Sequence, residues 1–413
     1  MSAATRAGFS AERLQVLDRV LREDYVERGE VPNAMVQVWR RGELAHSGMW
    51  GHADREAGTA IREDSIFRIY SMTKPITGVA ILMLMEQGLL DLDDDVSRFI
   101  PAFGRLGVFD AGGRGGFRTS PVRRQMRIID LVTHTSGLTY EWMNCSPVDA
   151  AYLDAGFNRR DLPGGLESFA EAISGIPLEF SPGEHWNYSM GMDVLARIVE
   201  LVSGMRWGEF LRTRIFGPLG MADTAHFCSP DKAGRLTSLY EAREGGLVRD
   251  DRRTAMFLDP ASLEEGGAGL VSTISDYMRF CRMLLGGGAL DGVRLLSPAS
   301  VGLFSRNMLS GGRTLGETYF AGRHTAMLTD GDGFSICCGV TLDPGQKHAL
   351  GSPGDFYWSG APMTQFWVDP AEDMAVVFMT QVIGSPHHFR IPRVLRSLVY
   401  GAMTDRNPRP SIP

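Results

Sequence analysis

The pattern of apolar and polar positions divides the chain into two ends that read as sheet and a middle that reads as helix and loop. An amphipathic helix opens the chain, with Leu14, Val16, Leu17, Val20 and Leu21 expected on one face. Ala34 to Trp39 predicts a strand, Arg41-Gly42 a turn, and Leu44 to Trp50 the hairpin partner. After Ile66-Phe67-Arg68-Ile69-Tyr70 comes a helix over Met72 to Gln87, apolar on nearly every side and stopped at Gly88. A helix with no polar face belongs in a core.

From Asp91 to Gly269 the strand signal fades and helical stretches alternate with Gly/Pro-rich segments. The clearest predicted loop is Phe103 to Arg124, with its Gly112-Gly113-Arg114-Gly115-Gly116 run. Val194 to Val202 repeats at helical spacing. Beyond Gly269 the reading is a helix near Ser275 to Leu285 and strands at Phe334 to Leu342, Thr364 to Val368 and Met374 to Thr380. A helix over Ile391 to Met403 closes the chain. These elements predict an α+β fold, an antiparallel sheet flanked by helices. Residues 1–93 and 270–413 would form the sheet domain and 94–269 an inserted, mostly helical domain, with the active site at their interface.

Composition narrows the function classes. A net charge of -7 with no Lys/Arg run argues against a nucleic-acid partner. The longest apolar run, Val79 to Met85, is too short to span a membrane, and no signal peptide is apparent. Five cysteines in no pattern suit reduced thiols and a cytoplasmic protein. The basic residues are lopsided: Lys74, Lys232 and Lys347 are the only lysines among 42 basic residues. Arginine keeps its proton in a protein, whereas lysine can lose it, so a rare lysine in an apolar helix points to proton transfer.

Ser71-Met72-Thr73-Lys74 sets a hydroxyl at the start of the buried helix and an amine on the same face one turn later. Free N–H groups at that helix start favour a developing oxyanion, and apolar surroundings disfavour the charged form of an amine. The spacing recurs in Ser229-Pro230-Asp231-Lys232, where proline follows the serine and no apolar helix follows the lysine. That copy reads as surface loop.

Phe67 to Ile76, around this serine, resembles the serine region of the β-lactamase/penicillin-binding-protein superfamily, especially the family VIII carboxylesterases and class C-like enzymes. Glu86 to Asp94, Asp130-Leu131-Val132-Thr133-His134-Thr135-Ser136-Gly137-Leu138 and Gly266 to Thr273 extend the resemblance, which runs from about residue 15 to 400. It implies a β-lactamase/transpeptidase-like fold and an acyl-enzyme on Ser71, with Lys74 as base and Tyr188, of Tyr188-Ser189-Met190, relaying protons. By the same resemblance Trp358-Ser359-Gly360-Ala361 replaces the lactamases' Lys-Thr-Gly. The backbone N–H groups of Ser71 and Ala361 would then form the oxyanion hole, and Met190, Trp358, Ser359 and Gly360 would meet substrate.

A small-molecule carboxylic ester is the expected substrate, with no metal and no cofactor. β-Lactam or amide hydrolysis and acyl transfer use the same residues and stay open, as does an inactive penicillin-recognising protein. Asn187 and His185 read as structural. Asp91, Asp93, Asp94 and Asp95 read as solvated charge, and His387-His388 lacks zinc-ligand spacing. His134 invites a Ser-His-Asp reading, but no Gly-x-Ser-x-Gly supplies its nucleophile.

Overall fold

A computed structural model describes residues 2–113, 115–157, 162–261, 263–320 and 329–407. Arg114 of the glycine-rich run lies outside them. Asn33–Arg40 (β1) and Glu43–Asp54 (β2) form the expected hairpin, followed by Thr59–Ala60 (β3). Arg41 and Gly42 both take positive φ, 51° and 79°, the mirror-image turn whose twist matches the flanking strands. Asp332–Phe334 (β4), Gly339–Thr341 (β5), Phe356–Ser359 (β6), Gln365–Asp369 (β7) and Met374–Met379 (β8) complete an antiparallel sheet in the order β4-β5-β6-β7-β8-β1-β2-β3. Strands from both ends therefore meet at its centre, where β1 lies against β8 with Met35 opposite Met379.

Alternation along β8 assigns its two faces. Met374, Val376 and Phe378 pack with Leu14 and Leu17 of Ala11–Arg19 (α1) and with Leu395 and Val399 of the last helix, Arg390–Gly401. Ala375, Val377 and Met379 join the larger core. That core contains Lys74–Glu86 (α2), Gly191–Ser203 (α3) and Ile274–Leu285 (α4), so the closing helix becomes α5. Within α2, every residue from Lys74 to Leu84 is buried. Burying one such aliphatic side chain contributes about 1.5–3 kcal/mol, so the helix behind Ser71 is held rigidly.

Four expectations differ from the structure. Val16 is 38% exposed; Leu14, Leu17 and Leu21 carry the buried face of the first helical segment. The loop expected over 103–124 contains a hairpin, Gly107–Gly113 with Gly116–Pro121, clasped by Phe109 against Phe117. A second hairpin, Tyr240–Arg243 with Gly246–Arg249, lies in the same region of faded strand signal. Both are largely solvated, so neither writes a strong alternation into the sequence. Phe334 to Leu342 is the end of β4, a reversal with Cys337 at φ 57°, and β5. Both arms are buried throughout, and an unbroken apolar run conceals a turn.

Candidate active site

Ser71 stands where a short strand becomes a helix. Phe67–Arg68 pairs with Val271–Ser272, Tyr70 takes φ 41°, and a 3₁₀ turn over Tyr70–Thr73 leads into α2. Positive φ is costly for a bulky side chain, and such strain persists only where the surroundings enforce it. Part of the enforcement comes from the β6–β7 turn. A Cβ on Gly360 would collide with the carbonyl of Ile69 and the hydroxyl of Thr364, so only glycine lets that turn close on the Ser71 segment.

Lys74 has no exposed surface. Its Nζ lies 3.2 Å from Ser71 Oγ, 3.0 Å from Tyr140 OH and 2.8 Å from the carbonyl oxygen of Gly267. Tyr188 meets the same amine differently, with its ring centroid 4.5 Å from Nζ. Its hydroxyl accepts a hydrogen bond from Trp358 Nε1 at 3.3 Å. Tyr140 was not legible as a site residue. Its signal was only its place two residues beyond Leu138 in a matched stretch, and no local spacing tells which distant amine a tyrosine will reach. Burial, then Tyr188 and the carboxylates of Asp193, Glu141 and Glu265, hold the Tyr140 phenol well above its ordinary range. It therefore stays protonated beside the lysine.

His134 lies behind the site. Its ring packs on Tyr188 at 4.7 Å between centroids, and Nδ1 accepts from the backbone N–H of Ser189 at 3.2 Å. Burial first, and then Lys74, push its imidazole well below the usual range. It is a neutral buttress for Tyr188. Asn187 Nδ2 donates to the carbonyl of Leu138, and His185 packs against Phe180 and Phe320.

Ser71, Tyr188, Met190, Trp358, Ser359, Gly360 and Ala361 line one cavity of about 1360 Å³, together with Tyr140 and Glu141. Trp358 and Met190 are 6% and 7% exposed, largely covered wall residues. The other two lysines lie off this cavity. Lys232 Nζ pairs with Asp223 at 2.9 Å and reaches the carbonyl of Ala222. Lys347 pairs with Asp332 at 2.9 Å under the ring of Tyr357. The acidic run folds on itself: Asp94 accepts from the backbone of Asp91 and pairs with Arg98. His387 pairs with Glu30.

The family described as Beta-lactamase matches residues 18–399. The chain belongs to the β-lactamase family. Protein Rv1367c of Mycobacterium tuberculosis is 34% identical over 86% of this chain and 87% of its own. Esterase EstB of Burkholderia gladioli is 29% identical over 95% and 96%. Among solved structures, EstCE1, described as a hydrolase with promiscuous acyltransferase activity, superposes with a TM-score of 0.79 over 97% of this chain and 100% of its own, at 23% identity. The α+β, β-lactamase/transpeptidase-like fold expected from the sequence is thus the fold observed. Among the described residues no helix is long and apolar enough to cross a membrane.

Proposed function

We propose that this β-lactamase-family serine hydrolase is a carboxylesterase of the family VIII type, acting on short-chain esters in the cytoplasm. The observation that carries the reading is a wholly buried lysine with Nζ 3.2 Å from the Oγ of Ser71, which itself lines an aromatic-walled cavity. Lys74 takes the Ser71 proton as Oγ attacks the ester carbonyl. The backbone N–H groups of Ser71 and Ala361 receive the negative charge on the carbonyl oxygen. The C–O bond to the alcohol then breaks, and the alkoxide leaves with a proton from Tyr188. Because Tyr188 OH accepts from Trp358, its own proton is free to be given, which leaves a phenolate whose ring lies against the Lys74 ammonium. Water, giving its proton to the Tyr188 phenolate, attacks the acyl-enzyme, and Ser71 Oγ leaves with the proton held on Lys74 as the acid is released.

Ester rather than lactam preference rests on Met190 and Trp358. They stand where the resembled lactamases hold the substrate's amide and carboxylate, and neither side chain binds an anion. Losing two charge-assisted hydrogen bonds, at about 1.5–3 kcal/mol each, weakens lactam recognition by roughly 10²–10⁴. The resemblance to Esterase EstB supports the same side. The test compares kcat/KM for p-nitrophenyl butyrate with nitrocefin and benzylpenicillin at one pH. Butyrate should lead by at least about 10², and equal values would make the protein a lactamase.

Acyl transfer is a second reading, favoured by cavity size. About 1360 Å³ exceeds the roughly 300–1,000 Å³ of an ordinary small-molecule site and leaves room for an alcohol beside the acyl-enzyme. Ester product formed from p-nitrophenyl butyrate and an added alcohol, in competition with water, measures it.

A further inference from the structure

The lysine is steered by a peptide that has no side chain of its own. Gly267 gives its carbonyl oxygen to Lys74 Nζ at 2.8 Å, and its N–H goes to Asp193 Oδ1 at 3.0 Å. On the other side of the same peptide link, Thr77 Oγ1 donates to the Gly266 carbonyl at 2.6 Å. Asp193 sits in the first turn of α3, 5% exposed. The convergence is close: a Cβ placed on Gly267 would lie 3.2 Å from Asp193 Oδ2, 3.3 Å from Tyr140 OH and 3.4 Å from Lys74 Nζ. At Gly266 a Cβ would strike the Met192 carbonyl, so α3 and this loop pack backbone to backbone.

The hydrogen-bond inventory gives the arrangement a consequence. An ammonium has three N–H donors, enough for Ser71, Tyr140 and Gly267 together. A neutral amine has two donors and one lone pair. The Gly267 carbonyl can only accept, so it claims one N–H, and the lone pair must face a hydroxyl that can donate. With Tyr140 taking the second N–H, the lone pair points at Ser71. We propose that Asp193 is a positioning residue: it clamps the Gly266–Gly267 peptide so that the Gly267 carbonyl orients the lone pair of Lys74 toward Ser71, and it sets a carboxylate beside the residue that holds the amine. This rests on Ser71 as nucleophile and Lys74 as base.

The charge environment agrees with the geometry. Burial, then Glu265, raise the Asp193 carboxyl to about 7, while Lys74 and the N–H groups of Gly266 and Gly267 act the other way. The other titratable groups that face this cluster are Tyr140, Tyr188, Glu141, His134 and Cys337. Tyr140 and His134 stay neutral, and burial keeps the Cys337 thiol protonated, so Asp193 is the carboxyl that interacts with the lysine, and Glu265 acts on Asp193 and Tyr140.

With three lysines in the chain, selective ¹³Cε labelling yields three resonances, and the one absent from K74R belongs to Lys74. Its titration midpoint needs no substrate. In Asp193→Asn, which keeps an acceptor for Gly267 but drops the charge, the midpoint should fall by about 1 pH unit or more, as expected when an opposite charge within reach is removed. The acidic limb of kcat/KM for p-nitrophenyl butyrate should move down with it. Asp193→Ala should lose a further ~10-fold in kcat with little change in KM, and Asn in place of Ala should restore it. An unmoved Lys74 midpoint in D193N would overturn the proposal, as would a loss of rate that merely follows the melting temperature. A shifted midpoint in a protein that turns over no ester would uphold Asp193's hold on Lys74 and remove the esterase reading instead.

Discussion

The chain contains the spacing Ser-x-x-Lys twice, and the two copies have opposite fates. In the first, the serine opens a buried helix and the lysine, with no solvent contact, reaches back to its hydroxyl. In the second, Pro230 follows the serine, the segment turns at the surface, and Lys232 passes over its serine to pair with Asp223, nine positions earlier in the chain. The same spacing therefore gives a buried Ser–Lys hydrogen bond in one place and, in the other, a lysine paired with an aspartate near the surface. Spacing permits the contact. What decides it is whether an apolar helix withholds water and any competing carboxylate from the amine.

Four measurements break or sharpen that contrast. Ser71→Ala should cost on the order of 10⁶ in ester turnover, the scale seen when a nucleophile is removed, while Ser229→Ala stays near the parent rate. Similar losses in both would erase the distinction between the copies. Lys74→Arg keeps the charge but supplies no neutral base, and should lower kcat by about 10⁴, the top of the range for a positioned proton-transfer group. Lys232→Arg, by contrast, can keep its pairing with Asp223 and should retain both rate and melting temperature. Substantial turnover in K74R would show the lysine acting as a fixed charge.

The tyrosines come next. Tyr188→Phe should lower kcat by about 10²–10³. Tyr140→Phe should cost about tenfold, because it only helps hold the amine. Steady-state rates on folded variants check the order, and a larger loss from Y140F would exchange their roles.

The smallest effect concerns Glu141 on the cavity wall, whose buried Oε2 has no hydrogen-bond partner among the described residues. Burial raises this carboxyl from 4.5 to about 7, so the folded chain keeps its proton over a range where the unfolded chain has lost it. Its contribution to stability is complete below about pH 4.5, falls between there and pH 7, and is absent above. Glu141→Gln should therefore melt with the parent at pH 4.5 and a few degrees above it at pH 8. A constant offset at every pH would assign the effect to packing.

Much of this was written locally. Helix α2, the Arg41-Gly42 turn and the strand of Met374–Met379 follow from periodicity, because each is fixed by residues a few positions apart. The solvated hairpins were hidden because a strand with no deeply buried face leaves little pattern. The β4–β5 reversal was hidden for the opposite reason, both of its arms being buried.

The sequence by itself determined that Ser71 and Lys74 share a helical face, and that this face is enclosed. A rise of three residues along a helix allows little else, and the apolar run leaves the helix nowhere but the core. Only the tertiary structure decided the rest of the lysine's surroundings. Tyr140, Tyr188 and Gly267 come from segments 66, 114 and 193 positions away, and Asp193 touches the amine's neighbour rather than the amine. Packing of α3 against the Gly266–Gly267 backbone sets those distances, and no interval along the chain encodes them.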